Sequence, residues 1–299
     1  MNSSISSRDR VLQVIKTGKS DRIPKGELVI NDPVIQSALN CEQVGFTERQ
    51  AFVNSLNLDI ISLSPVYPTT TKELPRLEEY LWPDLEKWTK ETSLFSFAIL
   101  DGAFEWGMRV FGFTDYFIML KKSPDHVKEF VQSVEKFNLL SIKELNNQGI
   151  NGIILADDIA YQKGLLIPPD ILKEYFLPSL ARQVEGIKRM GTIAFYHSDG
   201  DYRQLIDELV KADFDGFHCI DRNTGMKIEE LQQRLGDKLC LWGHLDINDV
   251  NSSSDPDYRK EQADFAQQIG WNKKFILGTN SGIFEGMDIN SLKALYESI

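Results

Sequence analysis

The chain has 299 residues, 42% hydrophobic and 26% charged, a balance typical of a globular protein with a sizeable core. Its formal net charge of -11 argues against a nucleic-acid partner, because binding to phosphates requires clustered Lys and Arg. The first ten residues lack a signal-peptide pattern, and no apolar run approaches the roughly 20 residues of a membrane helix. The three cysteines lack a paired framework. We therefore expect a cytoplasmic protein without membrane contact.

Apolar runs alternate with helical patterns along the whole chain. Residues 8–16 carry one apolar stripe and predict an N-terminal helix. Eight strands are predicted, at residues 27–30, 58–63, 95–100, 150–156, 193–197, 215–220, 239–243 and 274–277. Helices are predicted from Pro33 onward and at residues 48–57, 124–147, 170–190, 204–211, 227–235, 258–270 and 290–297.

This order of elements predicts a single α/β domain over residues 1–299, with the fold of a (β/α)8 TIM barrel. The segment from Pro68 to Leu94, after the second strand, contains several Pro and Trp residues. It is long for a plain connection, so we interpret it as an excursion over one end of the barrel. Residues 104–109 (FEWGMR) place an acid, a base and two aromatic rings in what we read as a turn region.

Polar side chains recur in or just after the predicted strands. Three of the four histidines lie at such positions, and only His126 falls on a predicted helix. Because a parallel α/β barrel carries its catalytic groups at the carboxyl ends of its strands, this pattern predicts a functional rim. The rim residues are Glu27, Asp101, Asp157, Asp158, His197, Asp199, His218, Asp221, His244, Asp246 and Asn280.

Two chemistries suit such a rim. His197, Asp199 and His244 could hold a divalent metal ion that polarises a substrate oxygen. Alternatively, a carboxylate pair such as Asp157 and Asp158 could separate into a protonated acid and an ionised partner. The structural alternatives are a hydrogen-bonded core histidine at position 197 and carboxylates that only cap helices. Three aromatic residues either pack against a substrate or belong to the core: Tyr67, Phe104 and Trp106.

Several segments together resemble the uroporphyrinogen decarboxylase superfamily. They are RDRVLQVIKTGKSDRIP near the amino terminus, ADDIAYQKG followed by PPDILKEYFLP, and then FYHSDGD, DGFHCIDRNTGM and LWGHLD. The resemblance covers nearly the whole chain. It implies a (β/α)8 barrel with its active cleft at the carboxyl ends of the strands, in agreement with the element count.

Four features of the true heme-pathway decarboxylases are missing. Residues 27–33 (ELVINDP) lack their arginine-rich motif, and residues 62–65 (SLSP) lack their aspartate. Only Phe111 stands near the position of their tyrosine, and Thr279 takes the place of their late histidine. The resemblance therefore favours the other main activity of the superfamily, which is methyl transfer to or from a corrinoid protein.

Thiol-methylating members of that branch bind zinc through an HxC motif and a late cysteine. This chain has His197 but Asp199 in place of the cysteine, and Thr279-Asn280 at the late position. Zinc on oxygen and nitrogen ligands remains open. The leading hypothesis is a methyltransferase that moves a methyl group from a small methylated substrate, such as a methoxylated aromatic (O-demethylation), to a corrinoid carried by a partner protein.

In this hypothesis His197, Asp199 and Asp157 are catalytic. The expected substrate wall comprises Glu27, Tyr67, Phe104, Trp106, Arg109, Asp158, His244 and Asn280. One alternative is a cofactor-free decarboxylase of a small or tetrapyrrole carboxylate, with Arg109 as anion clamp. The other is a non-catalytic barrel that binds a corrinoid or tetrapyrrole. A homodimer is compatible with each of these readings.

Overall fold

The computed structural model describes residues 5–68 and 72–299, so residues 69–71 of the predicted 68–94 excursion lie outside the described residues. Among the residues described, no helix is both long and apolar enough to cross a lipid bilayer. The strands are β1 (Ile60–Leu63), β2 (Phe95–Asp101), β3 (Gly152–Ala156), β4 (Ala160–Tyr161), β5 (Gly164–Leu165), β6 (Ile193–His197), β7 (Gly216–His218), β8 (Cys240–Leu245) and β9 (Phe275–Thr279).

Helices follow or precede almost every strand, which makes this an α/β fold. The first seven are α1 (Ser7–Thr17), α2 (Asp32–Leu39), α3 (Phe46–Ser55), α4 (Leu85–Lys90), α5 (Ala103–Phe111), α6 (Phe113–Lys122) and α7 (Pro124–Asn147). The others are α8 (Pro169–Ile171), α9 (Leu177–Arg189), α10 (Ile206–Lys211), α11 (Ile228–Leu235), α12 (Ile247–Ser252), α13 (Pro256–Gly270) and α14 (Ile289–Glu297). Single turns of 3-10 helix occur at Leu77–Glu79, Arg203–Leu205, Arg222–Thr224 and Gly236–Lys238.

The chain divides into two compact units that interleave in sequence. The first unit comprises Met1–Ser62, Lys87–Ser96 and Gly216–Ile299. The second comprises Leu63–Glu86 and Phe97–Asp215. Each has its own parallel strands and helices.

In the second unit, β3 lies between β2 and β6, and all three strands are parallel. Their side chains are almost entirely buried, as expected for strands that helices cover on both faces. The register aligns Ala156 at the end of β3 with His197 at the end of β6. The residues that follow these two strands therefore begin side by side.

In the first unit, β8 pairs in parallel with β7 and β9. The loop after α1 is held by a buried ion cluster, in which the fully buried Asp59 contacts Arg10 at 2.7 Å and Arg22 at 2.8 Å. Arg10 also pairs with Asp21 at 2.6 Å. A buried carboxylate requires such partners, which gives Arg10 and Arg22 a structural role.

The strand predicted at residues 27–30 is wrong. Only two isolated parallel bridges are present there, Lys25 with Leu277 and Ile30 with Ile283. Between them the Glu27 carboxylate accepts hydrogen bonds from both the backbone N–H and the hydroxyl of Thr279. The side chain thus occupies the position that a backbone carbonyl would take in a continuous ladder. The other seven predicted strands are present, six of them with shifted ends, and the closed (β/α)8 barrel stays a prediction.

The turn predicted at residues 104–109 is also wrong, because these residues lie within helix α5. Gly107 lies inside this helix, and the buried ring of Tyr116 packs where a Cβ atom at this position would stand. The predicted helix at 170–190 is present, with a π-helical segment at Leu172–Phe176. Pro178 has no N–H group to donate, which accounts for the local loss of regular α-helical bonding.

Candidate functional site

Three polar side chains meet at the carboxyl ends of β3 and β6, in the second unit. Asp158 follows β3, whereas His197 ends β6 and Asp199 follows it. The Nε2 atom of His197 lies 3.8 Å from Asp158 Oδ1 and 3.9 Å from Asp199 Oδ1. The backbone N–H of Asp199 donates to Asp158 Oδ1 at 2.8 Å, which fixes the two loops to each other. We call Asp158, His197 and Asp199 the trio.

The trio has the composition of an open metal site. One ligand atom from each residue lies within 4.8 Å of the other two. Ligands of one zinc ion stand roughly 3.3 to 3.6 Å apart, so these atoms must approach one another by up to about 1.5 Å to share a cation. A histidine with two carboxylates leaves a coordination position open, as in catalytic rather than structural zinc sites. These residues therefore fit a divalent cation.

Asp157, next to the trio in sequence, points into the protein and is fully buried. Its Oδ1 accepts the backbone N–H of Glu105 at 2.8 Å, so it caps the start of α5, where Gly102 has no side chain to do so. Its Oδ2 has no partner among the described residues. Burial raises the pKa of Asp157 well above its usual range. The structure shows a capping role for this residue, and its catalytic role stays a prediction.

Arg109 is held by carboxylates of the protein itself. Its Nη2 lies 3.2 Å from Asp101 Oδ2 and 3.1 Å from Glu105 Oε1, and its Nη1 donates to the Tyr67 hydroxyl at 2.9 Å. Burial raises the pKa of Asp101 to about 6, against the opposing effect of Arg109, and burial also raises the pKa of Glu105. The negative charge of Asp158 contributes to both shifts, which places these acids and the trio in one electrostatic cluster.

An aromatic wall adjoins Arg109. The ring of Tyr67 lies 5.2 Å from that of Trp106 and 5.3 Å from that of Tyr80. The hydroxyl of Tyr80 and the Nε1 of Trp106 are buried without a partner among the described residues. Phe104 instead is fully buried against Phe176, which corresponds to the core alternative for this residue.

Glu27, expected in the substrate wall, lies in the first unit and is buried in a hydrogen-bond network. Its Oε2 accepts the Thr279 hydroxyl at 2.5 Å, and its Oε1 accepts the hydroxyl of Tyr296 from α14. Burial raises the pKa of Glu27 to about 7. In the structure this residue joins residues 24–31 to β9 and α14.

The raised pKa of Glu27 predicts a pH-dependent stability. The folded state holds this proton more tightly than the unfolded chain, so the free energy of unfolding falls as pH rises from about 5 to about 8, by up to about 3 kcal/mol. Urea unfolding at pH 5, 6, 7 and 8 measures this slope. Glu27→Gln should flatten it, whereas Glu285→Gln, an exposed substitution in the same unit, should not. An unchanged slope in Glu27→Gln would contradict the assignment.

The remaining predicted rim residues of the first unit make mostly structural contacts. His218 Nε2 lies 3.3 Å from the carbonyl oxygen of Thr279, and its ring packs on Trp242. Asp246 caps α12 through the backbone N–H groups of residues 248 and 249. The backbone N–H of Asn280 donates to the carbonyl of Leu245 at 2.8 Å. His244, predicted as a metal ligand, is not a member of the trio, and its ring packs against Phe265 of α13.

Two features of this site were missed from the sequence. Asp158 was expected to bind substrate but stands among the metal-competent groups, because the register of β3 and β6 brings it to His197. Tyr80 completes the aromatic wall from within the 68–94 excursion. The density of Trp and Tyr in that excursion was the available signal, although it does not indicate which rings turn inward.

Comparison with solved structures shows the fold. A methyltransferase from Methanosarcina mazei aligns with 99% of this chain and 98% of its own, at 13% identity and a TM-score of 0.77. A B12-independent methionine synthase from Shewanella sp. W3-18-1 aligns over 94% of each chain, at 14% identity and a TM-score of 0.52. The 3-keto-D-glucoside 4-epimerase YcjR from E. coli covers 92% of this chain and 96% of its own, at 14% identity and a TM-score of 0.51.

No curated protein matches the sequence. Residues 85–299 match the family described as Uroporphyrinogen decarboxylase (URO-D), and they include the whole trio and the carboxylates that hold Arg109. The match spans well over half of the chain. The chain therefore belongs to the uroporphyrinogen decarboxylase family.

Proposed function

We propose that this protein is a methyltransferase that moves a methyl group from a small methylated substrate to a corrinoid carried by a partner protein. The observation that carries the proposal is the trio, an open set of one imidazole and two carboxylates beside an aromatic wall. The similarity in fold to a methyltransferase supports it. Methoxylated aromatics are the proposed donors, because the half-buried ring of Tyr67, which packs on the buried Trp106, offers a flat apolar surface for a ring.

When bound, the corrinoid supplies the nucleophile that accepts the methyl group, and a cation on the trio supplies positive charge near the leaving atom. The bond between the methyl carbon and the heteroatom breaks, and its electron pair stays on the heteroatom. That atom must gain a proton or a positive neighbour. Without a cation, His197 can deliver a proton from Nε2, and Asp158 and Asp199 hold the imidazole in place. With a cation, His197 and the two carboxylates would instead be its ligands, and the cation would supply the positive charge.

The charge around the trio disfavours decarboxylation of a polycarboxylate. Asp158 and Asp199 are its two acids, and Asp101 and Glu105 stand in the same cluster. Arg109, the expected anion clamp, already contacts both Asp101 and Glu105. A substrate with several carboxylates would meet repulsion and would have to displace these ion pairs.

An assay with free cob(I)alamin as acceptor and 2-methoxyphenol as donor, with zinc supplied, tests the proposal. Asp199→Asn removes one charge of the trio, so we expect kcat/KM to fall at least about 100-fold. Asp125→Asn, an exposed change at the start of α7, is the matched control and should leave the rate unchanged. Equal rates in both variants would remove the trio from the mechanism. Tight binding of cobalamin without turnover would favour the non-catalytic alternative.

A further inference from the structure

A cleft in the first unit shares no lining residue with the trio or with the aromatic wall. It opens between α13 and residues 222–229, next to the start of α11, and has a volume of about 870 Å³. Its apolar lining includes Ile220, Met226 and Phe265, and His244 of β8 lies among the lining residues. This volume is ample for a small organic molecule.

Two lining side chains present buried polar atoms that have no hydrogen-bond partner within the described part of the chain. They are Nε2 of His244, a residue 3% exposed, and Oε1 of Gln262, a residue 6% exposed. Buried polar atoms are almost always partnered in native proteins. Because both residues line one cleft, their unpartnered atoms indicate a molecule that partners them when it is bound.

The chemistry of these two atoms restricts that molecule. The Gln262 carbonyl oxygen accepts hydrogen bonds, and burial lowers the pKa of His244 to about 4, which leaves its imidazole neutral at physiological pH. A neutral imidazole nitrogen either accepts or donates, depending on its tautomer. A bound molecule that carries a hydrogen-bond donor beside an acceptor along one edge satisfies both residues. The Phe265 ring, 5.2 Å from that of His244, adds an aromatic surface for a flat molecule.

The charges at the mouth of the cleft disfavour an anion. The exposed acids Glu229, Asp257 and Glu261 also line it. Each of the lining cations pairs with a carboxylate: Arg222 with Asp249, Lys227 with Glu230, and Lys260 with Asp264. No surplus positive charge is left in the described lining for a phosphate group.

We propose that this cleft binds an uncharged heteroaromatic molecule of the nucleobase or nucleoside type, whose polar edge pairs with His244 and Gln262. The site is separate from the trio in residues and in chemistry. It therefore does not depend on the methyltransferase proposal, and either can fail without the other.

The four histidines make a direct test practical. Protein labelled with 15N at histidine gives four sets of ring signals, and loss of a set in His244→Phe assigns His244. Addition of adenosine should shift the ring nitrogens of His244 in a saturable way, at millimolar concentration or below. AMP, which adds only a phosphate to the same molecule, should bind at least fivefold more weakly because of the acidic mouth.

Gln262→Met keeps the length of the side chain and removes its polar end. It should weaken adenosine binding at least tenfold and leave the protein at least as stable as the wild type, since the Gln262 side chain makes no hydrogen bond to the residues that the structure describes. Gln233→Met, an exposed change on α11, is the control and should alter neither property. If adenine and adenosine leave the His244 signals unmoved at 5 mM, the cleft holds only water and the proposal is overturned. Equal binding of AMP and adenosine would overturn the assignment to uncharged ligands.

Discussion

Replacement of His197 by alanine is expected to weaken zinc binding to the protein at least about 100-fold, since loss of a ligand exceeds the 10- to 100-fold effect of losing an outer-shell contact. The imidazole is the only nitrogen ligand of the trio, and its Nε2 stands 3.8 and 3.9 Å from the two carboxylates. Without the imidazole, the half-buried Asp158 and the exposed Asp199 offer only carboxylates, which bind zinc weakly in water. The lost side chain ends β6 and is buried, so a thermal unfolding curve must first show that the variant is folded.

The measurement is zinc bound per chain in protein prepared without chelator, followed by a zinc titration of the metal-depleted form. His126→Ala is the matched control, because His126 is an exposed histidine on α7. Stoichiometric zinc in the wild type and in His126→Ala, but not in His197→Ala, would support the metal site. Equal zinc in all three proteins would show that the trio is not the site. No zinc in the wild type would leave His197 as a proton donor.

Gly102→Ala is expected to lower the free energy of unfolding by about 2 to 5 kcal/mol. A Cβ atom at this position would stand 2.3 Å from the Asp157 carboxyl carbon. Asp157 is fully buried and caps α5 through the N–H of Glu105, so it cannot move away without loss of that cap. The cost combines overpacking of the core with the loss of a helix cap.

Gly45→Ala provides a close control, because Gly45 is also the N-cap of a helix and also has an extended backbone. A Cβ atom there would meet only Glu48 Oε2, at 3.3 Å, the flexible end of a half-buried side chain that accepts the N–H of Gly45 at 3.0 Å. We expect a loss below about 1 kcal/mol for this variant. Urea unfolding curves of the wild type and the two variants measure the difference. Similar losses in both variants would show that Asp157 yields easily and that its position is not fixed by α5.

The periodicity of the sequence was sufficient for most of the secondary structure. The helix at residues 124–147 and the strand at residues 193–197 were predicted with their observed ends, because long apolar stripes and flanking Pro and Gly are local signals. Helix α5 was missed because its Gly107 packs against the ring of Tyr116, which fills the space of a side chain and approaches only in the folded chain. Sequence patterns within one helix do not reveal such a contact.

For the candidate site, the sequence alone determined which residue types end the strands, and it placed His197 and Asp199 close together because two residues in one chain segment cannot separate far. Only the tertiary structure decided their partners. The parallel register of β3 and β6 selected Asp158, whereas the packing of α5 turned Asp157 inward as a helix cap and paired Arg109 with Asp101. Tertiary packing likewise set His244 against Phe265. Spacing along a chain limits distances between neighbours, whereas contacts between distant segments depend on how the strands and helices pack.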